Sequence, residues 1–300
     1  MASSTVGGSR IAAIATCTPS RRFDNQKDTT KFTQDEVRKV VALAGVHERR
    51  LADDSICSSD LCLKAADCVL DSLNWSRDSI DALIMVTQSP DYFLPSTACV
   101  VQDRLGLPKD CASFDVGLGC SGYPYGLWLA SMMLKSGGLR RELLLHGETP
   151  ARFTDNSDRS VALLFGDAGS ATAIEASDSM TVQDWHFVLR TDGSGYTDMI
   201  IEAGGFRNRF SDDVKKHCVY MNGANIFNFT IKFVPPLILD TLQHAGVEKE
   251  AIDYYIFHQS NQFIMKHLMK KPELQKEKIP IILRNFGNTG GRLLLNVNSR

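Results

Sequence analysis

Apolar and polar positions along this chain follow two rhythms. Short apolar runs closed by Gly, Pro or polar residues recur at "IAAIATCTP" (11–19), "DALIMVTQSP" (81–90), "ASFDV" (112–116) and "ELLLHGET" (142–149). Each predicts a strand. Between them lie segments with apolar residues at helical spacing, at 32–45, 58–73 and 96–107. Gly45 suits a C-terminal cap for the first, and Ser58 or Ser59 an N-terminal cap for the second. "SGYPYGLWLASMMLKSGG" (121–138) is apolar nearly all round, which predicts a central, buried helix. "RSVALLFGDAGSATAIEA" (159–176) predicts two strands joined by a tight Gly-Asp-Ala-Gly turn. This alternation implies a mainly parallel sheet covered by helices on both faces, an α/β fold.

The rhythm begins again after residue 176. "VQDWHFVLR" (182–190) and "TDMIIEAG" (197–204) read as strands, and 222–246 as a long helix that Pro235-Pro236 should kink or split. "IDYYIFHQS" (252–260) reads as a strand, 261–271 as a helix, and "IPIILRNFGNTGG" (279–291) as a strand running into a glycine loop. The chain thus divides into residues 1–176 and 177–300, two unequal αβ halves.

Composition narrows the function classes. The chain has 300 residues, 43% of them hydrophobic, enough for a large core. Its net charge of -2 offers no global field for nucleic acid or an anionic membrane. No apolar run approaches the roughly 20 residues of a membrane span. "MASSTVGGSR" lacks a basic region followed by an apolar core, so a cytoplasmic protein is expected. The eight cysteines form no C-x-x-C pair and no zinc spacing with His, so neither a metal site nor a disulfide framework is expected.

Three stretches place reactive side chains at strand ends. In "FDVGLGCSGYPYG" (114–126), Cys120 lies between a strand and a long helix, with glycines on both sides. Unpaired N–H groups and partial positive charge at a helix start lower a thiol's pKa. The alternative is a core cysteine beside a tight turn. In "FHQSN" (257–261), His258 ends an apolar strand. In "NFGNTGG" (285–291), Asn288 stands between glycines, where Asn also serves as a plain turn former. Together they can supply a nucleophile and two hydrogen-bonding side chains. Residue types alone do not choose the reaction, because Cys, His and Asn also occur in that order in papain-like proteases.

With "GLGCSGYPYGLWLASMMLKSGG" and "DRSVALLFGDAGSATAIEA", the chain resembles the β-ketoacyl-acyl-carrier-protein synthase III family. The likeness continues through "LAGVHERR" (43–50), "FLPSTACVVQDRLGL" (93–107), "MNGANIFNFTI" (221–231), "FHQSNQFI" (257–264) and "NFGNTGG". The resemblance implies a thiolase-like, five-layered αβαβα fold with two similar halves, and a homodimer. It implies no cofactor. Its substrates would be an acyl-CoA, which acylates Cys120, and malonyl-acyl carrier protein, whose decarboxylation His258 and Asn288 would assist. It further implies Arg159, Gly223 and Asn261 along the pantetheine path and Leu94 reaching across the dimer. Lys270 and Lys271 would belong to the face that docks the acidic carrier protein. Relatives on this scaffold also transfer acyl groups to oxygen or nitrogen without decarboxylation, which stands as the alternative activity.

The sequence departs from the family at the outer substrate path. Lys39 and Leu43 stand where Trp and Arg are common, and Phe263 where Arg is common. These changes favour an acyl donor other than acetyl-CoA. "GGRLLLNVNSR" stands where the resemblance implies a helix and two further strands, with a glycine turn giving a second oxyanion N–H. Read that way, the chain is expected to fold poorly or to be a non-catalytic remnant.

Overall fold

A computed structural model describes residues 2–179, 182–270 and 272–290. Eleven strands and six α-helices are defined among them. The strands are β1 Ala2–Val6, β2 Ser9–Cys17, β3 Arg22–Asp24, β4 Glu48–Arg50, β5 Ala82–Val86 and β6 Ala112–Val116, then β7 Arg141–Glu148, β8 Ala168–Ala176, β9 Trp185–Leu189, β10 Met199–Ile200 and β11 Tyr220–Met221. The helices are α1 Gln34–Ala44, α2 Ser58–Leu73, α3 Thr97–Leu105, α4 Gly122–Lys135, α5 Gly223–Ala245 and α6 Gln262–Lys270. The tail at 291–300, which carries the expectation of poor folding, lies outside the described residues.

One five-stranded sheet, ordered β2-β8-β7-β5-β6, organises the first half. It is mixed rather than mainly parallel. β5 runs parallel to β6 and β7, but β8 is antiparallel to both β7 and β2. Strand alternation sorts its apolar residues between two cores. Leu83, Met85, Leu143 and Leu145 face α2 and α3, while Ile84, Val86 and Leu144 face α4. All seven are essentially water-free, which is why the strands read as unbroken apolar runs.

Helix α4 lies between this sheet and the antiparallel pair β1–β9. Trp185 of β9 packs on its cluster, and Trp128 Nε1 donates to Ser4 Oγ at 3.0 Å. Helix α5 then covers β9. The order α2/α3, sheet, α4, β1–β9, α5 gives the expected five layers, and the fold is α/β of the thiolase-like class.

Several expected elements differ. Only Ala168–Ala176 forms a strand within 159–176. Residues 160–164 turn, and Phe165 makes an isolated parallel bridge to Asn288. Helix α5 runs unbroken through Pro235 and Pro236. The two prolines remove only the bonds from their own missing N–H groups, and packing on β9 and α6 outweighs that local loss. The stretches 252–260 and 279–283 join no ladder among the described residues. They are joined instead by one backbone bond, from Tyr255 N–H to the Lys278 carbonyl at 2.9 Å, and by side chains. Buried Gln259 donates to the Pro280 carbonyl at 2.8 Å and accepts from Ile282 N–H at 2.9 Å, as a neighbouring strand would.

Candidate active site

Strand β6 ends at Val116, and residues 117–121 turn the chain into α4. Packing explains the glycines here. A Cβ on Gly122 would strike Val86, one on Gly126 would meet Leu144, and one on Gly119 would strike Gln88. The start of α4 therefore sits directly on β5 and β7, and Cys120 is carried at its N-terminal end, open to solvent on one side. The surrounding protein partly dehydrates the thiol and raises its pKa. The charge and hydrogen bond of the His258 imidazole outweigh that, and the thiol lies below the ordinary cysteine value. Glu148 opposes the fall as a nearby negative charge.

His258 and Asn288 are set by one turn. His258 Nδ1 lies 3.1 Å from the Gly290 carbonyl, which can only accept, so Nδ1 carries the proton. That leaves Nε2 as the basic nitrogen for the Cys120 thiol. Gly290 N–H in turn donates to Asn288 Oδ1 at 3.0 Å, which occupies the amide oxygen and leaves Nδ2 as the donor side. Asn288 is only 4% exposed. Its own backbone is bolted to the first half: its N–H donates to Leu164 O at 2.8 Å, and its carbonyl accepts from Gly166 N–H at 3.0 Å. The backbone at Gly287 is left-handed (φ 74°), and a side chain there would meet the Leu164 carbonyl.

"ELLLHGET" reads in sequence only as a strand, yet it carries Glu148 and His146 close to Cys120's turn. Glu148 accepts from Gln88 N–H at 2.6 Å and from Ser89 Oγ at 2.8 Å, holding the loop beside Gly119. His146 is fully buried, and its Nε2 would lie 3.8 Å from a Cβ on Gly122, under the start of α4. Polar residues closing an apolar run were the available signal.

Arg159, Gly223 and Asn261 line one cavity of about 650 Å³, between α1, the 158–164 turn and the starts of α5 and α6. Arg159 forms an ion pair with Glu36 at 3.0 Å. Asn261 Oδ1 accepts from Ile264 N–H at 2.8 Å, capping α6 while lining the cavity. Leu94 stands 84% exposed on the 91–95 loop, where neighbouring Phe93 packs on Phe206 with ring centroids 5.8 Å apart. Lys270 is exposed at the end of α6, and Lys271 lies outside the described residues. No cluster of three or more metal-ligating side chains occurs among the described residues.

A low-pKa thiol at a helix start, a fixed imidazole and a buried amide donor on this layered fold define an acyl-transfer enzyme of the thiolase-like class. The family model for 3-oxoacyl-acyl-carrier-protein synthase III matches residues 114–193, and the model for its C-terminal domain matches 242–293. The β-ketoacyl-acyl-carrier-protein synthase III of Syntrophomonas wolfei is 34% identical over 282 residues, spanning 93% of this chain and 84% of that protein. The enzyme of that name from Caldanaerobacter subterraneus is 34% identical over 266 residues, spanning 87% and 80%. The crystal structure of a 3-oxoacyl-acyl-carrier-protein synthase from Burkholderia xenovorans superposes with a TM-score of 0.94 at 41% identity, covering 99% of this chain and 87% of that one. The chain belongs to the 3-oxoacyl-acyl-carrier-protein synthase III family.

Proposed function

We propose that this protein condenses an acyl thioester with a malonyl thioester on acyl carrier protein, through an acyl-Cys120 intermediate, to give a 3-oxoacyl thioester. The observation that carries this is the His258 imidazole, fixed at Nδ1 by the Gly290 carbonyl 3.1 Å away and holding the Cys120 thiol below its ordinary pKa. His258 Nε2 takes the thiol proton, and the thiolate attacks the donor carbonyl. The donor's C–S bond breaks, and its thiolate leaves and takes a proton from solvent. Attack builds charge on the carbonyl oxygen, and the Cys120 backbone N–H is the donor we assign to it.

The malonyl thioester then binds with its carbonyl oxygen toward Nε2–H of His258 and Nδ2 of Asn288. Loss of carbon dioxide places negative charge on that oxygen, where two preorganised donors stabilise it. The enolate carbon attacks acyl-Cys120, and the cysteine leaves as thiolate, restoring the ion pair with His258. One proton is consumed overall, matching the carboxylate lost as neutral carbon dioxide. The exposed Phe93 and Leu94 support a homodimer in which this loop reaches the partner's acyl pocket. Lys270 supports docking of an acidic carrier protein. A cytoplasmic location fits the same reading, and no helix among the described residues is long and apolar enough to cross a membrane.

Intact mass after incubation with acyl thioesters tests the first step, and carbon dioxide release from malonyl-carrier protein tests the second. The expected result is a thioester adduct abolished in Cys120→Ala, followed by carbon dioxide release that depends on the adduct. Acyl transfer to an alcohol or amine without carbon dioxide release would replace condensation with the simpler transfer.

A further inference from the structure

The 650 Å³ cavity has an outer wall whose chemistry does not suit a polyanion. Among the described residues lining it, Arg159 is the only cation. It is paired with Glu36, and Asp158 beside it is acidic. The nearest cations on α1, Arg38 and Lys39, both pair with Asp35, at 2.8 and 2.7 Å. Ser160 and Asn261 add neutral polar groups, and most of the remaining lining is apolar. Leu43 is 58% exposed and Phe263 39% exposed, Phe227 packs on Phe263 at 5.2 Å between centroids, and His267 backs both rings.

Coenzyme A would bring a diphosphate and a further phosphate monoester to this mouth, together with a nucleoside. Anions of high charge need cationic partners when they leave water, and among the described residues lining this cavity the one paired arginine is the only cation. A pantetheine arm attached to a carrier protein brings a single phosphodiester, which Arg159 can meet by exchanging Glu36. An exposed apolar rim is also the kind of surface a protein partner covers. On the outer side of α6, Phe263, Lys266 and Lys270 are exposed at helical spacing, joining an apolar anchor to two cations.

We propose that the acyl donor, and not only the malonyl acceptor, reaches Cys120 on a carrier-bound pantetheine arm, with Leu43, Phe227 and Phe263 as the residues that discriminate against coenzyme A. This rests on the condensing-enzyme reading above and adds the class of donor.

The test uses one acyl group on three thiols: coenzyme A, pantetheine and a holo acyl carrier protein. The rate of Cys120 acylation is followed by intact mass at matched low concentrations. The expected order is carrier, then pantetheine, then coenzyme A, with carrier and coenzyme A at least tenfold apart. Phe263→Arg and Leu43→Arg are expected to raise the coenzyme A to pantetheine rate ratio about tenfold. Coenzyme A matching the carrier in the native protein, or a ratio unmoved in both variants, overturns the inference while leaving condensation standing. If none of the three thioesters acylates Cys120, the condensing-enzyme reading itself falls.

Discussion

The two sides of the candidate site are built by different means. Cys120 is delivered by backbone: a five-stranded ladder, apolar cores on both faces and a glycine-thinned helix lying on the sheet. His258 and Asn288 are delivered by a few isolated backbone and side-chain bonds rather than by a ladder. Gln259 ties 259 to 280–282, Gly290 ties His258 to Asn288, and the Phe165–Asn288 bridge ties that turn to the first half. A ladder spreads its stability over many hydrogen bonds, so no single residue decides it. A stitched region concentrates it. Damage to the His–Asn side should therefore be local, severe and separable from the chemistry at Cys120.

The sharpest way to break this difference is Gly166→Ala. A Cβ at Gly166 would strike the Phe286 carbonyl, and backbone cannot give way as a flexible side chain can. The bridge holding Asn288 must part. The expected cost is about 4 kcal/mol, at the upper end for a single substitution. Decarboxylation of malonyl-carrier protein should fall at least ~100-fold, on the scale of losing an oxyanion donor. Acylation of Cys120, followed by intact mass, should fall far less. Equal losses in both steps would show that the two sides form one cooperative unit.

Gln259→Leu tests a single stitch. It leaves Pro280 O and Ile282 N–H without their present partners in a part-buried setting, at about 1 kcal/mol for each orphaned group, the low end for a buried one. Thermal unfolding monitored by hydrogen exchange should show protection lost at 279–290 and kept in β5 and β7. Uniform loss of protection would contradict a stitched second region.

The same difference governed what was legible in sequence. The first half could be read almost element by element, because strands buried on both faces must be apolar throughout and amphipathic helices must repeat at their own period. Cys120 was legible as a candidate from its place at a strand–helix junction and as the nucleophile through the family resemblance, although its glycines answer mainly to packing. His258 and Asn288 were legible as residues, through their motifs, but their coupling was not. A carbonyl at Gly290 that fixes an imidazole at 258 leaves no mark on composition or periodicity. Residues 252–260 carry strand-like sequence, yet strand pairing is a property of neighbours, and Gln259 supplies a neighbour's hydrogen bonds from a side chain. The continuous α5 misled in the same way: local proline rules were outweighed by packing. The apolar mouth joins Leu43, Phe227 and Phe263 from three helices, and only the fold brings them together.

The one stabilising change expected lies within the well-laddered half and runs opposite to the others. Glu142 at the start of β7 is fully buried, and neither carboxyl oxygen has a hydrogen-bond partner among the described residues. Burial, with the Asp81 carboxylate nearby, pushes its pKa up to about 8 from 4.5. The folded state therefore holds a proton that the unfolded chain releases. Stability from this group is complete below the unfolded pKa near 4.5 and is lost as pH rises toward 8. At pH 7 the penalty is on the order of 2–3 kcal/mol, since a tenfold change in proton affinity is worth about 1.4 kcal/mol. Glu142→Gln removes the titration while keeping shape. It should raise the unfolding free energy by about 3 kcal/mol more at pH 8 than at pH 5. Urea unfolding at the two pH values checks this. If the variant gained as much at pH 5 as at pH 8, the gain would come from packing, and even the ladder would rest on a single residue.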